Sequence, residues 1–193
     1  MQELASKIHT NRIYLVGYMT SGKTTFAKEF VKEMPNWRYI DIDEVIALQE
    51  NSTIDNLIKT KGEAYFRNLE TEILHSTKDL QYTIIATGGG LPCFNNNMNF
   101  IIKHGLSLFL NPPIRTLYER LQIPQNTITR PLWNMQPEEM RFNFLTKSLS
   151  NRIAIYTKAD FEIDTSQSLQ TWFHTLKNLF YNNNLQGEPP LLT

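Results

Sequence analysis

The densest chemical signal in the chain is Gly17-Tyr18-Met19-Thr20-Ser21-Gly22-Lys23-Thr24-Thr25, which fits G-x-x-x-x-G-K-[ST]. A phosphate chain needs several backbone N–H groups converging on it, and that takes tight turns with glycine wherever backbone and ligand come close. Gly17 and Gly22 meet that need, Thr20, Ser21 and Thr25 supply further loop donors, and the helix that starts at Lys23 adds its positive end. Lys23 is placed to reach the β- and γ-phosphates, and the Thr24 hydroxyl suits Mg²⁺. The apolar run Arg12–Val16 directly before the motif and the helical stretch directly after it supply the required strand-loop-helix setting. Nucleoside triphosphate binding follows. The acceptor stays open at this point: water, a protein, a nucleotide or a small alcohol.

Four further groups bear on that acceptor. Asp41-Ile42-Asp43 ends a second apolar run, and on a strand its period of two turns both carboxylates to one face at the carboxyl end, where open α/β sheets bind ligands. One carboxylate could hold water on Mg²⁺ and the other could deprotonate a hydroxyl; the competing reading is an N-cap for a helix starting near Glu44. In Gly62–Glu70, Arg67 and Glu70 are three apart, a spacing that also makes ordinary surface ion pairs. Gly88-Gly89-Gly90 follows a third apolar run and lets backbone approach a ligand with no side chain in the way, or else is a flexible turn. Arg130 and Arg152 complete the set. Arg130 lies in an irregular stretch where a lid arginine could close on a transferring phosphoryl, and Arg152 sits late in a helix as either a carboxylate fork or a dipole partner.

These residues need a scaffold, and the pattern provides one. Short apolar runs at Arg12–Val16, Trp37–Ile42, Thr83–Ala86, Leu106–Leu110 and Phe161–Ile163 alternate with helical stretches at Lys23–Met34, Glu63–Thr77, Ile114–Leu121, Glu138–Thr157 and Leu169–Tyr181. Alternation implies crossover connections, so a mainly parallel sheet covered on both faces is expected, an α/β fold of three layers. One domain over residues 1–181 is expected, with a lid at about 121–137 and a flexible tail at 182–193. The 193 residues carry 19 Lys plus Arg against 19 Asp plus Glu, so no general attraction to nucleic acid or an anionic membrane is expected. A single cysteine, Cys93, excludes an internal disulfide and a cysteine-based zinc site. With no run long and apolar enough to span a bilayer and no signal-peptide core at the start, a soluble cytoplasmic protein is expected, a monomer by default.

Taken together, the motifs resemble the shikimate kinase family of the nucleoside-monophosphate-kinase group of P-loop folds, over about Ile13 to Gln167. That family carries a P-loop, then Asp-x-Asp, Gly-Glu-x-x-Phe-Arg-x-x-Glu, Gly-Gly-Gly, a lid Arg-Pro-Leu and a late Arg-x-x-x-Tyr. Here these are Asp41/Asp43, Gly62–Glu70, Gly88–Gly90, Arg130–Leu132 and Arg152/Tyr156. The resemblance implies a five-stranded sheet of order 2-3-1-4-5 and transfer of the ATP γ-phosphate to the 3-hydroxyl of shikimate, a step toward chorismate and the aromatic amino acids. It further implies that Asp43 holds and activates that hydroxyl. Arg67, Arg152 and the Gly88–Gly90 backbone would bind the substrate, Lys23 and Arg130 would stabilise the transferring group, Thr24 and, through water, Asp41 would hold Mg²⁺, and Gln167 would contact the nucleotide.

The chain departs from the family pattern in places. Thr20 stands where glycine is common, beside the bulky Tyr18, and Trp133 follows Pro131-Leu132 where leucine is usual. The stretch from Arg120 to Arg130 is longer, which affects pairing Arg120 with an adenine-stacking arginine, and Tyr156–Asp160 is one residue shorter before Ala-Asp. Competing readings are a related kinase for gluconate or a nucleoside monophosphate, and a catalytically idle nucleotide-binding module. Like-charge repulsion from Asp43 weighs against an anionic nucleotide acceptor. The combined presence of Lys23, Thr24, Asp43 and Arg130 weighs against an idle module.

Overall fold

A computed structural model describes residues 7–123, 133, 135–163, 165 and 169–182. Its strands are β1 (Arg12–Val16), β2 (Arg38–Asp41), β3 (Thr83–Ala86), β4 (Leu106–Leu110) and β5 (Phe161–Ile163). The helices are α1 (Lys23–Glu33), α2 (Ile42–Gln49), α3 (Ile54–Lys61), α4 (Glu63–Ser76), α5 (Asn97–His104), α6 (Ile114–Gln122), α7 (Glu138–Tyr156) and α8 (Leu169–Asn182). Four of the five expected strands have the expected bounds. Expected lid residues 124–132 and 134, with Arg130 among them, together with Gln167 and the tail beyond 182, lie outside the described residues.

The sheet order is β2-β3-β1-β4-β5, and all four strand pairings are parallel. β1 is central because all five of its residues are buried and both its edges are paired, with Ile13 opposite Ile84 on one side and Leu106 on the other. Its side chains alternate between two cores. Tyr14 and Val16 join Ile42, Phe66, Leu117 and Tyr156 on one face, while Ile13 and Leu15 join Phe26, Phe30, Phe173 and Phe180 on the other. Burying each aliphatic side chain of β1 contributes roughly 1.5–3 kcal/mol, so the strand that carries the phosphate loop is firmly anchored. Among the described residues no helix is long and apolar enough to cross a membrane.

Two details set the site's registration. Asp160 accepts from the backbone N and the hydroxyl of Ser107 at 2.9 and 2.7 Å, fixing the start of β5 against β4. The Ala-Asp pair after Tyr156 therefore serves strand alignment here. The second concerns β2, expected to run through Ile42. It stops at Asp41, whose side chain caps α2 by accepting from the backbone N of Asp43 at 3.0 Å and of Glu44 at 3.4 Å. Asp43 thus lies in the first turn of a helix, and the strand-face argument for the pair fails because the cap ends the strand one residue earlier.

Candidate active site

The carboxyl end of β1 feeds the loop Gly17–Gly22, which wraps a cleft of about 570 Å³. Gly17 has φ +144°, and a Cβ there would stand 2.6 Å from the Leu110 carbonyl oxygen, so only glycine fits. Gly22 takes a left-handed conformation at the N-cap of α1; no side chain caps the helix and its first turn holds no acidic residue. That end therefore presents backbone donors and a positive dipole to an anion. Thr20 also adopts φ +59°, a conformation costing a non-glycine residue roughly 1–2 kcal/mol. It is held there in part by Arg120 of α6, which donates from Nη1 to the Thr20 carbonyl at 2.9 Å. Tyr18, the other unusual residue, leaves the cradle altogether: it is buried, and its hydroxyl donates to Ser148 of α7 at 2.9 Å.

Lys23 is buried inside the loop, where Nζ donates to the carbonyls of Gly17 (2.9 Å) and Tyr18 (2.7 Å) and to the Ser21 hydroxyl (3.3 Å). The ammonium is thereby aimed from within the cradle. Thr24 donates to Asp41 Oδ2 at 2.5 Å, and both residues, with Thr25, line the cleft. Asp41 caps a helix with one oxygen, as the N-cap reading expects, and accepts from Thr24 with the other. A hydroxyl beside a carboxylate at the edge of a phosphate cradle is a hard oxygen donor pair. Mg²⁺ commonly takes one or two such protein ligands and completes its shell with phosphates and water, so these residues fit the ion. Among the described residues no group of three or more His, Cys, Asp or Glu side chains could hold a metal by itself.

Each glycine of the triplet lies close to a different neighbour, and only at Gly89 is that neighbour main chain. A Cβ on Gly88 would lie 2.6 Å from Glu70 Oε1 and 2.8 Å from Asp43 Oδ1, so the two carboxylates converge on it. A Cβ on Gly89 would lie 2.9 Å from the backbone N of Met19 in the P-loop. On Gly90 it would meet the Arg67 guanidinium, 2.8 Å from Nη1. None of the three has a positive φ, so what they supply is close approach rather than unusual backbone. Tyr156 at the end of α7 donates its hydroxyl to the Gly89 carbonyl, and burial pushes its phenol well above the ordinary value, which keeps it a donor.

Arg67 and Arg152 approach this turn from α4 and α7. Arg67 donates to Glu70 at 2.6 Å and to Glu63 at 2.9 Å, while Arg152 stands with its guanidinium 5.3 Å from the centre of the Tyr18 ring. Both lie within electrostatic reach of Cys93, whose thiol burial pushes up and the two guanidiniums pull back. The cleft at the phosphate end is lined by Asp43 and Gly89 but by neither arginine.

Glu70 is the residue that spacing underrates. It is 1% exposed, and burial pushes its carboxyl up to about 7, an effect that Arg67 opposes and Asp43 reinforces. The folded state then holds a proton that the unfolded chain releases near 4.5, so this group favours folding at low pH and that contribution is lost as pH rises from about 4.5 through 7. The displacement corresponds to roughly 3 kcal/mol. Glu70→Gln is expected to gain stability on the parent protein progressively across that interval, checked by urea unfolding at pH 5, 6, 7 and 8; a pH-independent difference would contradict it.

A parallel five-stranded sheet with a P-loop after its central strand, a Thr–Asp pair beside it and Asp43 lining the same cleft is the architecture of a P-loop phosphotransferase. Residues 19–179 match the family model described as shikimate kinase. The shikimate kinase of Bacteroides thetaiotaomicron is 35% identical over 161 residues, covering 83% of this chain and 90% of that protein. A crystal structure of shikimate kinase from Bacteroides thetaiotaomicron superposes with a TM-score of 0.79 at 32% identity, covering 88% of this chain and 98% of the other. A shikimate kinase from Acinetobacter baumannii, solved in complex with shikimate, gives a TM-score of 0.78 at 28% identity over 93% of this chain and 98% of its own. The chain belongs to the shikimate kinase family.

Proposed function

We propose that the chain transfers the γ-phosphoryl group of ATP to the 3-hydroxyl of shikimate, giving 3-phosphoshikimate and ADP. The observation that carries this reading is Asp43, which lines the phosphate cleft and converges on Gly88 with Glu70, the ion-pair partner of Arg67. A monoanionic polyol acid asks for both features: guanidinium for its carboxylate and an acidic acceptor for its hydroxyls.

In the reaction, the 3-hydroxyl oxygen forms a bond to the γ-phosphorus as the bond between that phosphorus and the β–γ bridging oxygen breaks. Asp43 orients the hydroxyl and accepts its proton. Lys23 and the amides at the start of α1 take up the charge that develops on the phosphoryl oxygens, already aimed before substrate arrives. Thr24, and Asp41 through water, would hold Mg²⁺, which when bound screens the β- and γ-phosphate charge. Arg67 and Arg152 fix the acceptor by its carboxylate, with the Gly88–Gly90 backbone against it. Arg130 is assigned closure over the phosphates and Gln167 a nucleotide contact, both by family pattern.

The testing experiment is coupled ADP release with MgATP, offering shikimate, gluconate, AMP, CMP or no acceptor in parallel. Turnover is expected with shikimate alone; turnover only with another acceptor would break the assignment of the two arginines, and nucleotide binding without turnover would favour an idle module. Arg152→Ala is expected to raise the KM for shikimate about tenfold, the size of one charge-assisted contact, with kcat changed less. An unchanged KM would remove Arg152 from the carboxylate site.

A further inference from the structure

Phe94 is 38% exposed, yet its ring is not idle: the Arg67 guanidinium carbon lies 4.3 Å from its centre. The guanidinium is fixed in its plane by carboxylates, Nη1 to Glu70 at 2.6 Å and Nη2 and Nε to Glu63 Oε1 at 2.9 and 3.2 Å. Three of its five donors are so engaged among the described residues, which leaves one N–H on each of Nη1 and Nη2. Gly90 also lies against the group, close to Cζ and both terminal nitrogens.

The segment presenting Phe94 is built for that placement. It follows a 3-10 turn over Leu91–Cys93 and leads into two consecutive left-handed residues, Asn95 (φ +49°) and Asn96 (φ +59°). The amides of Asn95 and Asn97 both donate to the Thr71 hydroxyl, at 2.9 and 3.1 Å, and that hydroxyl donates to the Arg67 carbonyl at 2.9 Å. The loop carrying the ring is therefore tied to the helical turn carrying the guanidinium. Asn97 closes the loop on itself through the Leu91 carbonyl at 3.0 Å.

We propose that Phe94 is a positioning residue for the acceptor's carboxylate, its ring holding the Arg67 guanidinium so that the two remaining terminal N–H groups face that carboxylate. The proposal rests on the reading of Arg67 as a carboxylate ligand. The buried Phe66 ring lies 5.0 Å from the same carbon on the guanidinium's own helix, and the nearer Phe94 ring, 4.3 Å away on a separate loop, limits the tilt that the two acidic partners and Phe66 leave.

The test is steady-state kinetics at saturating MgATP for Phe94→Leu, Phe94→Tyr, Arg67→Ala and the double variant Arg67→Ala with Phe94→Leu. Leucine keeps the apolar bulk and removes the π face; tyrosine restores it. Phe94→Leu is expected to raise the KM for shikimate about tenfold with kcat and the KM for ATP within about twofold, Phe94→Tyr to stay near the parent value, and Phe94→Leu to add nothing once Arg67 is alanine. An unchanged KM in Phe94→Leu, a loss in Phe94→Tyr equal to that in Phe94→Leu, or the same tenfold rise persisting without Arg67 would each overturn the proposal. Arg67→Ala with an unchanged KM would instead refute the Arg67 reading itself and with it this one.

Discussion

Asp43→Asn is expected to lower kcat by about three orders of magnitude while nucleotide affinity stays within about twofold. Asparagine keeps the shape of the side chain and can still accept a hydrogen bond, so what is removed is charge and basicity. A general base in this kind of proton transfer is worth roughly 10²–10⁴-fold. Asp43 is suited to that share because of where α2 starts: Asp41 caps the helix by accepting from the Asp43 amide at 3.0 Å, which fixes the backbone from which the carboxylate projects. The carboxylate then faces Gly88, 2.8 Å from where a Cβ would be, with the Glu70 carboxylate on the same spot. The loop amides and Lys23, to which the proposed function assigns the nucleotide, are not touched by this substitution. The measurement pairs kcat from coupled ADP release with titration of a fluorescent ATP analogue. A kcat within tenfold of the parent would show that the transferred phosphoryl, rather than Asp43, takes the proton.

Much of this machine was readable from residue order, for identifiable reasons. The P-loop is local: its glycines, lysine and threonine fall within nine residues of one turn, so sequence spacing is already spatial spacing. The strands were legible because buried parallel strands are short, apolar and separated by helical stretches. Where the reading failed, an interaction between distant or competing groups decided the outcome. At Asp41 the capping bonds outweighed continuation of β2, moving Asp43 onto a helix without moving it out of the site. The helices α3 and α5, eight residues each, were missed because neither is long enough for its periodicity to stand out, though Thr53 at the N-cap of α3 was a usable signal.

Glu70 is the more instructive miss. Phe66, Leu69, Glu70, Ile73 and Leu74 are all buried and fall at the i, i+3, i+4, i+7, i+8 positions of one helical stripe. An acid in the middle of an apolar stripe is a costly arrangement unless it has a partner and a purpose, and Arg67 one turn earlier supplies the partner. Reading the pair as an i, i+3 surface bridge ignored the face on which the acid lies. Phe94 had no comparable signal, since its contact with Arg67 joins residues 27 positions apart in a loop whose shape depends on two left-handed asparagines.

The three glycines carry the argument to its end, because space rather than flexibility explains them, and that makes a sharp prediction for Gly89→Ala. The added methyl would sit 2.9 Å from the Met19 amide nitrogen and 3.5 Å from the Met19 α-carbon and the Tyr18 carbonyl carbon. All three are main-chain atoms, so no side-chain rotation relieves the clash; the P-loop or the triplet must move. A few tenths of an ångström shifts the amides that hold the phosphates on one side. On the other it shifts the Gly89 carbonyl that Tyr156 holds, and with it the turn against Arg67 and Asp43. A misplacement of about 1 Å can cost about 10²-fold in rate, so a shift of a few tenths is expected to cost about tenfold. Overpacking at a rigid backbone contact costs roughly 1–3 kcal/mol in stability. Gly89→Ala is therefore expected to lower kcat/KM for both ATP and shikimate by about tenfold and to lower the unfolding free energy by about 2 kcal/mol. Steady-state kinetics in both substrates and urea unfolding check the two parts. A flexible turn would accommodate alanine with near-normal kinetics, and that result would return the triplet to the role of a hinge.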